Sequence, residues 1–258
     1  MKYMGSKNRF AKELLPIILK DRKPEQWYVE PFAGGMNLID KVTGNRIAND
    51  NNKYLIAMWK GINKGIIYPK EIGKSLYSLA RDVFNGKETR LEHIMNMTDD
   101  LIGWIGFMAS ANGRFFEGGY SGISKTKIGT VRDYIAESIR NIEKQTPKLK
   151  DVDFRCNDYR ELEIPEKSIV YCDIPYEGTK QYSTSKGFNH IQFWDWARIT
   201  TSKGHQVFVS EYKAPEDFVC VWEKDVKSSL SANGLIGGNK TSKEKLFVHK
   251  KQFNKTYI

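Results

Sequence analysis

Ser168-Ile169-Val170-Tyr171-Cys172-Asp173-Ile174-Pro175-Tyr176 reads as a buried apolar strand that ends abruptly in a carboxylate, a proline-stiffened backbone and an aromatic ring. An acid at the carboxyl end of a strand, followed by a turn too rigid to continue the ladder, marks the rim on which open α/β sheets place ligand sites. These side chains suit one task, which is to hold an exocyclic amine on a planar base. Asp173 can accept one amine hydrogen, the carbonyl of Ile174 the other, and Tyr176 can stack on the ring. With both hydrogens drawn into acceptors the nitrogen becomes more tetrahedral, and its lone pair is free to attack an electrophile. Taken alone, Asp-x-Pro-Tyr equally fits a strand-end carboxylate that caps a loop beside a half-buried tyrosine.

A second strand-end site lies upstream. Trp27-Tyr28-Val29 reads as a buried strand, Glu30-Pro31-Phe32-Ala33-Gly34-Gly35 as the loop at its carboxyl end, and a helix is expected to begin near Asn37. Gly34 and Gly35 let the backbone approach a ligand closely. Arg46-Ile47-Ala48-Asn49 is the next strand, and it ends at Asp50, about 20 residues beyond Glu30, where a nucleotide-binding fold puts the carboxylate that accepts from ribose hydroxyls. The G-x-G-x-x-G of dehydrogenases is absent, and Phe32-Ala33-Gly34-Gly35 fits a ligand without a pyrophosphate. An Asx-turn or helix cap before Asn51-Asn52 is the plainer account of Asp50.

Around these two sites the chain alternates strand and helix, with one interruption. Phe10, Leu14, Leu15 and Ile18 predict an amphipathic helix over 7–20, which Pro16 should kink or shorten. Strands resume at 153–157, ending at Asp158, and continue through the stretch ending at Asp173, then 206–209, with late antiparallel strands at 219–222 and 245–249. Between them 54–148 is dominated by helical patterns at 54–62, 69–84 and 131–142, with an apolar stretch at 102–108. The expected organisation is therefore a catalytic domain built from 1–53 and 149–258, carrying a mainly helical inserted lobe at 54–148. Inside the lobe, Asn112-Gly113-Arg114-Phe115-Phe116-Glu117-Gly118-Gly119-Tyr120 is the best candidate for touching a nucleic acid. Arg114 could reach a guanine edge or a phosphate, or sit in a structural ion pair. The Gly-, Ser- and Lys-rich run 228–242 reads as a mobile basic loop.

The formal charge of +10 is uneven. Segment 51–150 carries sixteen basic and ten acidic residues, and 223–258 eight and three, whereas 151–222, which holds Asp173, has eight basic and twelve acidic. That distribution suits a protein gripping a polyanion beside its chemical site. No apolar run approaches the roughly 20 residues of a membrane span, and the polar first residues do not read as a signal peptide. Cys156, Cys172 and Cys220 are expected to be reduced core thiols of a cytosolic protein. Four histidines and three cysteines show no metal-ligand spacing, and no metal is expected.

Lys2-Tyr3-Met4-Gly5-Ser6-Lys7, the stretch Tyr28 to Asn37 with Ile47-Ala48-Asn49-Asp50, and Asp173-Ile174-Pro175-Tyr176 together resemble, in order and rough spacing, the Dam-type (D12 class, alpha-group) DNA adenine-N6 methyltransferases. The resemblance implies a Rossmann-like S-adenosylmethionine-dependent methyltransferase sheet with the target-recognition lobe inserted between cofactor and catalytic motifs. It also implies that Tyr3 and Lys7 close over S-adenosylmethionine, that Glu30, Pro31, Phe32, Gly34 and Gly35 line it, that Asp50 accepts from its ribose, and that Asp158 contacts its adenine. Tyr3 as a core residue, Lys7 as a surface one and Asp158 as a plain helix start stand beside those roles. On this view Phe32, Asp50, Asp158 and Asp173 face one crevice, and a duplex adenine is rotated out to stack on Tyr176.

The family's usual tetrapeptide is Asp-Pro-Pro-Tyr, and here Ile174 stands at its second place. The atom needed there is a backbone carbonyl, which isoleucine supplies, and Pro175 keeps the residue before it extended. The expected protein is a cytoplasmic monomer or weak dimer that methylates adenine N6 in duplex DNA. A catalytically weak DNA-binding relative and an RNA or cytosine-N4 methyltransferase are the alternatives. The resemblance covers the two ends of the chain well and the insert poorly, so the target sequence is left open. Whether a restriction enzyme works beside it is also left open. In the GATC-recognising members a hairpin with basic and polar residues is the feature to look for, and the segment near Arg114 fits it only loosely.

Overall fold

The computed structural model describes residues 1–126, 128–178, 187–227 and 241–256. After a 3-10 turn (Lys7–Phe10) come α1 (Ala11–Ile18), β1 (Tyr28–Glu30), a second 3-10 turn (Ile39–Lys41) and β2 (Arg46–Asn49). A helical run follows, with α2 (Lys53–Asn63), α3 (Lys74–Phe84), α4 (Leu91–Asn96) and α5 (Asp99–Ala109). Next are β3 (Ile123–Lys125), β4 (Val131–Asp133), α6 (Tyr134–Gln145), β5 (Asp153–Arg155) and β6 (Ile169–Asp173). The chain closes with α7 (His190–Ser202), β7 (Gln206–Glu211), β8 (Phe218–Lys227), β9 (Thr241–His249) and α8 (Lys250–Thr256). This is a mixed α/β fold whose main sheet pairing is mostly parallel.

Two compact units are present, Met1–Ala11 with Ala33–Tyr159, and Lys12–Phe32 with Arg160–Ile258. In the second unit the strand order is β1-β6-β7-β9-β8. β1, β6 and β7 run parallel, and β9 lies antiparallel between β7 and β8. Ile169, Val170, Tyr171 and Cys172 are all buried. A strand covered on both faces has no polar side to alternate with, so β6 reads as an unbroken apolar run. Its register sets Asp173 opposite Ser210 of β7.

In the first unit β2 and β5 are parallel, with Ile47, Ala48 and Asn49 opposite Asp153, Phe154 and Arg155. Asn52 caps α2 by accepting from the Tyr54 and Leu55 amides at 3.1 and 3.3 Å. Helix α5 is buried from Ile102 to Ala109, and its Phe107 joins a cluster with Tyr54, Phe84, Phe115 and Phe116 whose paired ring centroids are 4.7–5.6 Å apart. The segment 54–148 lies wholly inside this unit, and Trp59 of α2 stacks on Phe154 of β5 at 6.3 Å.

Several local expectations change. No helix follows Asn37, where only the 3-10 turn Ile39–Lys41 forms. The helix expected over 131–142 starts at Tyr134, because Val131–Asp133 pairs with Ile123–Lys125 as an antiparallel hairpin and Asp133 then caps α6 through the Ala136 amide at 2.9 Å. The N-terminal helix is confined to Ala11–Ile18 with Pro16 inside it, and the 69–84 pattern is helical only from Lys74. Cys172 is buried, but Cys156 and Cys220 are exposed rather than core, Cys156 because it lies just past the end of β5 and Cys220 on an open face of β8. Residues 228–240 of the expected basic loop lie outside the described residues. Among the described residues no helix is long and apolar enough to cross a membrane.

Candidate active site

In the first unit the glycine turn is built around Asp50. The Ala33 amide donates to the Asn49 carbonyl at 2.8 Å, which ties the turn to the end of β2. Asp50 Oδ2 then accepts from the Gly34 amide at 3.0 Å, and its Oδ1 from the Asn52 amide at 2.9 Å. Burial pushes the Asp50 carboxyl above its ordinary value, and the two amides oppose this only in part. Each oxygen keeps a further lone pair able to accept from a hydroxyl.

Tyr3 explains why this turn needs two glycines. A Cβ on Gly34 would lie 2.7 Å from Tyr3 Cε1, and one on Gly35 would lie 2.5 Å from Tyr3 Cβ. Gly34 also has φ +47, in the left-handed region. The Tyr3 ring stacks on Phe107 at 6.0 Å. Lys7 is buried, and its Nζ donates to the Gly5 carbonyl at 3.2 Å.

Gln145 is a further anchor of the turn. Its Nε2 donates to the carbonyls of Gly35 at 3.1 Å and Met36 at 2.9 Å, and its Oε1 accepts from the amino group of Met1. Sequence reasoning missed it. The available signal was a polar residue on the buried stripe of α6, in register with Ile135, Ile139 and Ile142. Asn49 was missed too. Fully buried, it donates through Nδ2 to the Asn157 carbonyl at 2.9 Å and accepts the Asn157 amide at 3.0 Å, so it fixes the backbone just before half-buried Asp158. Cys156 stands nearby, its thiol pushed up by burial and by the Asp50 charge.

The other residues expected to touch DNA also lie in this unit. Asn112 is exposed at φ +58, and Arg114 is half-buried, with an Nε that has no hydrogen-bond partner among the described residues. The loop around them is packed rather than free, because Phe115 and Phe116 are core and Ser110 Oγ accepts the Phe116 amide at 2.9 Å. The hairpin β3–β4 is the exposed feature instead. All six of its strand residues are exposed, among them Ile123, Lys125, Val131 and Arg132, and Ile128 at its tip is 88% exposed. Sequence reading assigned half of it to a helix, because Val131 continues the apolar spacing of α6.

In the second unit Glu30 is buried at the end of β1 and accepts from Tyr28 Oη at 2.8 Å. Pro31 follows it, buried, and Phe32 packs edge-on against Phe188 and Phe193, each at 5.8 Å. Asp173 is the last residue of β6 and is half-buried; the Ile174 side chain is 3% exposed, so its apolar bulk is absorbed by the core. Tyr176 is anchored at its hydroxyl, which donates to Glu244 Oε2 at 2.8 Å, and Tyr212 meets its ring edge-on at 4.6 Å. Burial, followed by the neighbouring Asp173 and Glu244 charges, pushes its phenol well above the ordinary value, so the hydroxyl stays protonated as a donor.

Among the described residues no three His, Cys, Asp or Glu side chains group to hold a metal ion. What the two units offer is a backbone cradle closed by an aromatic ring, and a strand-end carboxylate followed by an anchored tyrosine. No individual curated protein matches the chain. One family model does, the D12 class N6 adenine-specific DNA methyltransferases, over residues 3–233.

Proposed function

We propose, from the premise that this chain belongs to the D12 class N6 adenine-specific DNA methyltransferase family, a division of labour among its residues. The protein is an S-adenosylmethionine-dependent, site-specific DNA methyltransferase acting on adenine N6. Asp173 and the Ile174 carbonyl accept the two hydrogens of the target amine, and Tyr176 stacks on the base. The acceptors favour the positive charge that develops on nitrogen as it attacks. A paired adenine cannot reach such acceptors, so it leaves the helix, at a cost of a few kcal/mol.

S-adenosylmethionine supplies, when bound, a methyl carbon on a sulfonium, which is already a good leaving group. In the first unit the residues that hold it are Tyr3, Lys7, Gly34, Gly35, Asp50 and Asp158. What supports an adenosyl group here is Asp50, which retains acceptor capacity for ribose hydroxyls beyond its two amides. The sheet is then the Rossmann-like methyltransferase sheet, and 54–148 its target-recognition lobe. Within that lobe Asn112 and Arg114 are joined by the hairpin β3–β4, whose exposed isoleucines and basic residues are suited to a groove. The reading puts the protein in the cytoplasm, as a monomer or weak dimer.

The observation that carries this assignment is Asp173, placed as the last residue of β6 with the loop after it anchored through Tyr176. The test incubates labelled cofactor with unmethylated duplex DNA, with RNA and with protein, and identifies the product nucleoside by mass spectrometry. N6-methyladenine from DNA alone is expected, and Asp173→Ala should abolish it in a folded protein. Retained methylation by that variant, or label at cytosine N4 or in RNA, would overturn the assignment. Sequencing methylated adenines in cells that express the protein reads out the target site.

A further inference from the structure

Tyr176 is flanked by two peptides, and each is held by a different element of its own unit. The carbonyl before it, on Pro175, lies 2.8 Å from His190 Nε2. A ring nitrogen that faces a carbonyl has to carry the proton, so His190 donates. His190 is the first residue of α7, a helix capped by Asn189 through the Gln192 amide at 3.0 Å. The amide after Tyr176, on Glu177, donates to Glu211 Oε1. The other Glu211 oxygen accepts from the amides of Tyr212 and Lys213, the latter at 3.4 Å.

Glu211 owes its position to the sheet. Parallel pairing of β6 with β7 sets Asp173 opposite Ser210, so the next residue on β7 stands beside the chain leaving β6. The side chain is 2% exposed. A buried carboxylate is tolerated only when its oxygens are hydrogen-bonded, and here the donors are backbone amides, one of them in the loop after Asp173. Proline fixes φ at 175, the His190 bond sets the following peptide, and the Glu211 bond sets the one after. The loop therefore has little torsional freedom between Ile174 and Glu177.

We propose that Glu211 and His190 are positioning residues that clamp both peptides around Tyr176 and so hold the Ile174 carbonyl and the Tyr176 ring in the orientation the target amine requires. The proposal rests on reading 173–176 as the catalytic loop. Neither residue touches substrate on this account. Each acts through the backbone.

The experiment compares the full chain with Glu211→Gln, His190→Ala, the double variant and Asp173→Ala. Glutamine keeps the volume but turns an NH2 group toward backbone donors, and His190 is half-exposed, so its loss leaves the core alone. Three quantities are read: amide hydrogen exchange of peptides covering 174–178, the dissociation constant for S-adenosylmethionine, and the single-turnover rate of methyl transfer. Both clamp variants should exchange faster in that peptide and lose roughly 10- to 100-fold in rate, as expected for a slightly displaced reacting group, with cofactor affinity unchanged. The double variant should fall little below the worse single one, because both bonds serve one loop. Unchanged exchange and rate in either clamp variant would overturn the proposal, and so would a rate loss matched by an equal loss of cofactor affinity. Asp173→Ala separates the two levels. It should be inactive with the loop exchange unaltered, and activity in that variant would sink the reading of the loop itself.

Discussion

Replacing Gly34 by alanine tests the cradle where a crowded Cβ position and a left-handed backbone coincide. The new Cβ would lie 2.7 Å from Tyr3 Cε1 and 3.2 Å from Cζ, and the backbone there has φ +47. Two costs follow. Placing an L-residue in the left-handed region costs about 1–2 kcal/mol. Forcing a methyl group into filled space costs about 1–3 kcal/mol, less whatever a tilt of the Tyr3 ring recovers. Gly5 isolates the first cost, since it has φ +77 with no atom within 4 Å of an added Cβ. Tyr3→Ala in the same background removes the second. In urea unfolding Gly34→Ala should therefore destabilise by about 2–5 kcal/mol and Gly5→Ala by about 1–2 kcal/mol. The Tyr3→Ala, Gly34→Ala double variant should be more stable than the two singles sum to, by about 1–3 kcal/mol. Calorimetry with S-adenosylmethionine should show weaker binding for Gly34→Ala, because relieving the clash with Tyr3 shifts the turn whose amide donates to Asp50 at 3.0 Å. If Gly34→Ala cost no more than Gly5→Ala, or cost the same with and without the Tyr3 ring, the account of the turn would be wrong.

Gln145→Leu removes two donations to the glycine turn and should weaken cofactor binding by about 1–3 kcal/mol at about 1 kcal/mol per bond; unchanged affinity by calorimetry would remove Gln145 from the cradle. Lys125→Ala on the exposed hairpin should lower the slope of log K against log salt for DNA binding by about 1, and an unchanged slope would take the hairpin off the phosphates. Asp217 accepts from Arg198 at 2.7 and 2.9 Å, and that pair holds its carboxyl down from 3.8 to about 2. A folded value below the unfolded one adds stability that is complete above 3.8 and is lost as the pH falls toward about 2. Asp217→Asn should flatten the fall of the urea midpoint within that window, and an equally steep fall would refute the pairing.

Strand ends and the residues that follow them were legible because their signals are local. An apolar run that stops at Asp173 before Ile174-Pro175, and a pair of glycines after β1, declare themselves within a few residues. The late strands were placed correctly but proved longer, Phe218–Lys227 and Thr241–His249, because their polar outer halves carry no apolar signature. The hairpin β3–β4 escaped notice for the opposite reason. Its exposed Ile123 and Val131 look like core when only spacing is considered. Phe115 and Phe116 carried the same ambiguity the other way, since a glycine-rich loop that reads as surface turned out to bury both rings beside Phe107.

Sequence alone determined the alternation of strands and helices, the two motifs at strand ends and the resemblance that the family match over 3–233 establishes. Periodicity and residue type suffice for those, because each is set by a residue and its near neighbours. Only the tertiary structure decided which distant groups hold the motifs still. Gln145 reaches the carbonyls of Gly35 and Met36, Asn49 brackets Asn157, and Glu211 and His190 grip the peptides on either side of Tyr176. Those bonds go to backbone atoms, which every residue possesses. No side-chain pattern in the sequence can announce them, and they exist only once register and packing have brought the chain segments together.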